Sequence, residues 1–360
     1  MAKMTFAAPL YVVWEITLRC NLRCLHCYSG AAKPHPNELS TEEAEDVIRQ
    51  LAEAGVIVLG LSGGEPMLRK DWRQLVALAV ESGLLVSIGT NGTTVTDRVA
   101  RDLRALGVTS VCVSLDGSTP GTHEQVRRRA GRQRPGLFTK ATTAIERLTA
   151  AGVKVVVGFT PVRHNFHEAG SVVDLAYQLG ASGVNLSEFV PVGRGTLDLC
   201  LRPDELHSVI STWAERKEAY QGRMDVLWHD CRVGQFVPPE ERSKYVGCAA
   251  GELLARITVD GHVTPCVTLP VHVGNLREQR FADIWRDSPF LHKIRDRSNI
   301  QVGNCSACEL KSSCGGCRAV SMGFYGDPFR GDPYCWISPE EGAWPTLGTT
   351  HLPLTVVNSQ

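Results

Sequence analysis

The chain lacks an excess of either charge: 38 Lys and Arg stand against 38 Asp and Glu. It therefore has no global basic field to hold nucleic acid or an anionic membrane. It also lacks an apolar run of the roughly 18 residues that a membrane helix needs, because the best candidate, LAEAGVIVLGLSGG, is broken by glutamate and glycine. The first fifteen residues have no sustained apolar stretch before a small-residue cleavage site, so no export signal is read and a cytoplasmic location is expected. Solenoid repeats and long low-complexity tracts are absent as well. What the chain does have is cysteine, thirteen in 360 residues. Without an export signal these argue for metal, cluster or redox chemistry rather than disulfides.

From residue 11 to about 190, short β-branched runs alternate with helical patterns, the mark of βα units around a parallel sheet. Strands are expected at Tyr11–Thr17, Val56–Leu61, Leu84–Thr90, Ser110–Leu115, Val153–Thr160 and Gly183–Glu188. The intervening helices end on glycine, and the first opens at a Ser40/Thr41 cap with an acidic first turn. Six units are too few for a closed eight-stranded barrel, so an α/β fold with an open sheet or partial (β/α)6 barrel follows. After Arg194 the pattern changes to one more helix, a hairpin turning at Asp260-Gly261, and a cysteine-dense, loop-rich segment with too few aliphatic residues for its own core. The expected division is a core at 10–200, a linking helix and loop at 201–246, a cysteine-rich domain at 247–340 and a tail at 341–360.

Cys20, Cys24 and Cys27 stand in a C-x3-C-x2-C pattern on the loop leaving the first strand. Thiolates so close converge on one soft centre. Zinc completed by His26 or a distant ligand is one reading; an iron–sulfur cluster with one iron left open is the other. Gly63-Gly64-Glu65-Pro66 follows the second strand.

Together these motifs resemble the radical S-adenosylmethionine (SAM) superfamily. The resemblance implies that Cys20, Cys24 and Cys27 are the catalytic ligands of a [4Fe–4S] cluster whose open iron binds SAM. Gly63, Gly64, Glu65, Pro66, Asn91, Ser114, Asp116 and Arg194 then fall at cofactor-binding positions. The competing reading of Asn91 and Asp116 is turn chemistry, since Asn-Gly and Asp-Gly are favoured turn pairs. Cys248, Cys266, Cys305, Cys308, Cys314, Cys317 and Cys335 resemble the SPASM extension, which carries two auxiliary [4Fe–4S] clusters and brings the total to three. Its pattern assigns Cys305, Cys308, Cys314 and Cys335 to the outer cluster and Cys248, Cys266 and Cys317 to the inner one, with Cys231 or an open iron as the fourth position. The turn Cys314-Gly-Gly-Cys317 is one residue shorter than the commoner form. A zinc ribbon would leave Cys248, Cys266 and Cys335 unexplained. Cys112 is read as a core thiol, and Cys200 as inert or a hydrogen-atom donor.

The implied reaction is reductive cleavage of SAM to a 5′-deoxyadenosyl radical that abstracts a substrate hydrogen. The substrate expected first is a ribosomally made peptide, to be crosslinked, epimerised or oxidised. The alternative is a small molecule such as a tetrapyrrole or antibiotic precursor, and a non-catalytic iron–sulfur scaffold is the reading of another class. About ten residues precede the first strand, so recognition of a leader peptide would need a separate binding protein or another surface of this chain; a reducing electron donor is also required. Arg127, Arg128, Arg129, Arg132 and Arg134 form either a carboxylate-binding rim or a solvated basic loop.

Overall fold

The computed structural model describes residues 6–129, 135–229, 231–232, 240, 247–337 and 357–358. Arg132, Arg134, most of the segment from 230 to 246 and nearly all of the tail lie outside the described residues.

Seven strands run parallel and adjacent in chain order: β1 (Tyr11–Thr17), β2 (Val58–Gly63), β3 (Leu85–Thr90), β4 (Ser110–Ser114), β5 (Val155–Phe159), β6 (Gly183–Ser187) and β7 (Asp225–His229). Helices α1 (Thr41–Ala54), α2 (Trp72–Glu81), α3 (Asp97–Ala105), α4 (Pro120–Val126), α5 (Leu137–Ala150), α6 (Ala169–Gln178) and α7 (Pro203–Ala219) occupy the crossovers. The six expected strands are present within two residues at each end. The seventh, β7, was not expected, because DVLWH is too short to show a period and runs into a region poor in regular pattern. Helix α1 begins as its sequence predicts: Ser40 accepts from Glu43 N while the Glu43 carboxylate accepts from Ser40 N, a capping box that adds about 1 kcal/mol.

The hairpin of β8 (Leu254–Ile257) and β9 (His262–Thr264) turns at Asp260-Gly261 as expected, but it does not form a separate sheet. Strand β8 pairs in parallel with β1, placing Arg256 opposite Val13. The short strands β10 (Val271–His272) and β11 (Gly274–Asn275) follow, and β11 extends the sheet from β9. One open ten-stranded sheet therefore runs β11-β9-β8-β1-β2-β3-β4-β5-β6-β7 through both halves of the sequence. Helices α8 (Phe281–Asp287), α9 (Pro289–Arg295) and α10 (Arg318–Tyr325) belong to the cysteine-rich half, and α8 packs on α1.

Alternation along the strands separates the two faces. Val12, Trp14, Ile16, Leu59, Leu61, Val86, Ile88, Val111, Val113, Val155, Val157 and Phe159 are buried in the main apolar core. The opposite face carries Tyr11, Glu15, Ser62, Ser87, Cys112, Ser114 and Gly158. The Tyr11 and Ser87 hydroxyls meet there at 3.2 Å, and a Cβ on Gly158 would meet Cys112 Sγ. A sheet buried on one face and lined by polar side chains on the other has its ligand side built in.

Candidate active site

The loop after β1 is closed at its base: Cys20 N donates to Ala32 O at 3.1 Å, and Ala32 N donates to Leu18 O at 2.9 Å. Cys24 is buried, and Cys20 and Cys27 are half-buried, all three packing on Leu22 and Leu137. Three segments clamp this loop through its backbone. Gly64 N donates to Thr17 O at 2.6 Å and Glu65 N to Arg19 O at 2.8 Å. Arg23 N donates to Arg128 O at 2.6 Å and Leu25 N to Val126 O at 3.0 Å. Arg194 donates from its backbone N to Cys27 O, from Nε to Cys24 O and from Nη1 to Ala31 O, at 3.0, 3.0 and 2.7 Å.

Three of the residues that the resemblance places at cofactor positions also hold this scaffold together. Glu65 is wholly buried: one carboxylate oxygen accepts from the Thr90 hydroxyl at 2.7 Å and the Thr94 hydroxyl at 3.2 Å, the other from Asn91 N at 2.9 Å. Asp116, also wholly buried, accepts from Arg127 Nε at 2.6 Å and His26 Nε2 at 2.9 Å on one oxygen, and from Thr160 N at 3.0 Å on the other. Both oxygens of each carboxylate thus accept from the scaffold, and Arg194 braces the backbone carbonyls of Cys24 and Ala31. The Gly-Gly pair has a similar meaning. A Cβ at Gly64 would run into Arg19 O, so the close approach that glycine permits is to the cysteine loop itself. Gly64→Ala is expected to displace that loop and lower SAM cleavage at least about tenfold, read as 5′-deoxyadenosine per chain, with iron content falling in parallel.

Asn91 Oδ1 accepts from Thr93 N at 2.9 Å and from the Thr93 hydroxyl at 2.5 Å, the turn chemistry that its Asn-Gly pair also allowed. Asn91 is buried at the end of β3, its Nδ2 3.0 Å from Asn21 Oδ1 and 4.0 Å from Cys20 Sγ, and Ser114 is half-buried at the end of β4. Pro66 is buried and opens a 3-10 turn.

Arg127 was read only as part of a basic rim. Its guanidinium instead lies inside, bonded to Asp116 and 3.8 Å from Cys24 Sγ. No spacing rule signals this, since the contact spans more than a hundred residues. Burial would raise the Asp116 carboxyl, but Arg127 and His26 hold it well below the usual carboxylate range. Burial pushes the Cys24 thiol up to about 11 and raises Cys20 as well. Thiols so shifted are poor free nucleophiles, and they become thiolates when a soft cation replaces the proton. The donor set thus fits a thiophilic cluster.

A second thiol site lies in the C-terminal half. Cys305, Cys308, Cys314 and Cys335 line one pocket together with Arg232 and Lys311. These are the four thiols that the resemblance assigns to the outer cluster. Cys231, buried, hydrogen-bonds to both Cys314 and Cys317, which drives its own pKa up and that of Cys314 down. Cys317 and Cys266 each lie within electrostatic reach of Cys248. The wholly buried Asp332 ties the two groups: it accepts from Cys317 N at 2.8 Å, ion-pairs with Arg232 Nη1 at 2.9 Å, and donates its own N–H to Cys305 Sγ at 3.4 Å. Cys112 sits on the polar face of β4, not among the apolar core residues, and Cys200 is buried with its thiol hydrogen-bonded to Tyr334. Among the described residues no three His, Cys, Asp or Glu side chains close on a point that would hold a single metal ion. No helix among the described residues is long and apolar enough to cross a membrane.

Comparison with known proteins gives a consistent picture. Residues 14–176 match the family model of the Radical SAM superfamily, and residues 248–309 match SPASM, an iron-sulfur cluster-binding domain. The AdoMet-dependent heme synthase of Methanosarcina barkeri is 32% identical over 346 residues, covering 92% of this chain and 97% of that protein. The mycofactocin maturase MftC of Mycobacterium tuberculosis is 32% identical over 341 residues, covering 91% and 83%. The fold is that of Streptococcus suis SuiB bound to S-adenosylmethionine, with a TM-score of 0.74 and 18% identity over 94% of this chain and 78% of that one.

Proposed function

Because the chain belongs to the radical SAM superfamily and carries a SPASM domain, we propose that it uses SAM to oxidise or crosslink a peptide substrate, with Cys20, Cys24 and Cys27 holding the SAM-binding [4Fe–4S] cluster. The observation that carries this reading is the closed, backbone-clamped loop that presents three thiols at the C-terminal end of β1, where parallel α/β sheets bind ligands. When bound, the cluster and SAM supply one-electron cleavage of a carbon–sulfur bond and abstraction of a substrate hydrogen atom.

The protein's own share is positional. Gly64, Glu65 and Arg194 fix the loop backbone, so the three sulfurs keep one arrangement. Asp116 orients His26 and Arg127, and the Arg127 guanidinium lowers the cost of negative charge at Cys24. Asn91 and Ser114, at the ends of neighbouring strands, offer polar groups to the SAM ribose and carboxylate. In the C-terminal half, Cys305, Cys308, Cys314 and Cys335 would hold the outer auxiliary cluster, and Cys248, Cys266, Cys317 and Cys231 the inner one. If Cys231 completes the inner set, Cys231→Ala lowers iron by about four per chain; unchanged iron would leave that fourth position open.

The peptide reading is supported by the mycofactocin maturase relatives and by the shared fold of SuiB, solved with its precursor peptide SuiA. A tetrapyrrole substrate is the second reading, favoured by heme synthase relatives that align over nearly their whole length. Anaerobic incubation of the reduced, reconstituted enzyme with SAM and either a candidate precursor peptide or an iron porphyrin separates them. The correct substrate raises 5′-deoxyadenosine formation and changes mass by whole hydrogens or by a lost carboxyl group.

A further inference from the structure

Between the two thiol sites, on the polar face of the sheet, lies a charge pair with incomplete partners. Arg256 on β8 is 8% exposed and Glu15 on β1 is 3% exposed. Their nearest nitrogen and oxygen, Nε and one carboxylate oxygen, are 3.9 Å apart, beyond hydrogen-bond distance. Arg256 Nε and the other Glu15 oxygen are buried with no hydrogen-bond partner at all. Arg256 Nη1 donates to the carbonyl of Val267, the residue after Cys266. On its other side the guanidinium lies 5.9 Å from the ring of Tyr28, the residue after Cys27, whose hydroxyl meets Ser62 at 3.0 Å. One buried cation thus stands between the SAM-cluster loop and an auxiliary-cluster cysteine.

We propose that Arg256 and Glu15 form the binding site for a carboxylate group of the substrate, a site that rests on the radical SAM reading above. A buried guanidinium with an unpartnered edge is costly unless an anion completes it, and the planar fork matches a carboxylate with two parallel hydrogen bonds. Glu15 would be a rival anion if ionised. Burial raises its carboxyl against the lowering pull of Arg256, and in its protonated form that carboxyl would donate a hydrogen bond to the incoming oxygen. The hairpin gives the site its location. Because β8 joins β1 directly, the residue that holds the substrate by its acid group is set on the same sheet as the cysteine loop, within one strand of it.

The test is anaerobic calorimetric binding to the reconstituted, SAM-loaded enzyme. The probes are two matched pairs: a precursor peptide with a free C-terminal carboxylate against its C-terminal amide, and coproporphyrin against its tetra-amide. In the wild type one free acid is expected to bind at least about tenfold tighter than its amide. In Arg256→Gln that preference disappears while the amide binds as before and iron content and SAM affinity are unchanged. Glu15→Gln, which keeps shape and hydrogen bonding, is expected to hold or tighten acid binding. Failure of both acids to bind the wild type, a preference that survives in Arg256→Gln, or acid binding lost in Glu15→Gln as in Arg256→Gln would each overturn the proposal. So would weakened SAM binding in Arg256→Gln, because the site would then belong to SAM. Formation of 5′-deoxyadenosine by the reduced wild type is read separately, and its absence would count against the radical reading, not against the carboxylate site.

Discussion

Replacing Cys24 by alanine is expected to reduce 5′-deoxyadenosine formation to background while leaving about two thirds of the iron, two clusters of three, in place. The two halves of this result have separate causes. Cys24 is the most deeply buried of the three loop thiols, and its carbonyl and sulfur are both held from outside the loop, by Arg194 Nε and Arg127 Nη1. Its loss removes a ligand that no neighbouring side chain can replace, since Cys20 and Cys27 already occupy the other positions and Asp116 is engaged with Arg127, His26 and Thr160. The auxiliary thiols are bonded among themselves through Cys231, Cys314, Cys317 and Asp332, so they should load as before. Loss of all iron would show that the sites assemble as one unit. Undiminished SAM cleavage would remove the central role given to this loop.

The second large effect is expected at Asp116. Asp116→Ala leaves the side chains of Arg127 and His26 buried without their carboxylate and should destabilise the protein by about 3–5 kcal/mol, measured as the shift in urea midpoint. Asp116→Asn keeps the volume but not the charge and should cost part of that. The pH dependence follows from the direction of the shift. The folded carboxyl lies below its unfolded value of about 3.9, so the stabilisation is complete above that value and is lost only as the pH falls through the folded pKa. The gap between wild type and Asp116→Asn should therefore stay constant from about pH 5 to 8. A gap that closes already near pH 6 would mean that the carboxylate is not held as described. Because the same pair reaches Cys24, Asp116→Ala should also weaken cluster retention.

Much of this was legible in the sequence because it is local. Strands β1 to β6 declare themselves by β-branched runs at βα spacing, α1 by its capping box, and the first thiol site by the spacing of Cys20, Cys24 and Cys27, all of which depend on residues a few positions apart. What escaped was the work of side chains whose partners are distant in the chain. Asp116, Glu65 and Arg194 stood at positions that resemble SAM contacts, and only the packing showed that their polar atoms are already engaged by the scaffold. Arg127 looked like one more charge in a basic stretch. The hairpin at Asp260-Gly261 was visible, but its attachment to β1 was not, since backbone hydrogen bonds carry no record of their partner strand.

By itself, then, the sequence determined the chemistry available to this protein: a parallel α/β core, three thiols on its first loop and a second cysteine-dense half. The tertiary structure decided which groups remain available for ligands. It placed Arg256 beside Glu15, engaged Asp116 and Glu65 in the scaffold, and ran one continuous sheet through both halves of the sequence. The reason is physical: a buried polar group must be satisfied by whatever the fold brings within about 3 Å, and that distance is set by packing rather than by position along the chain.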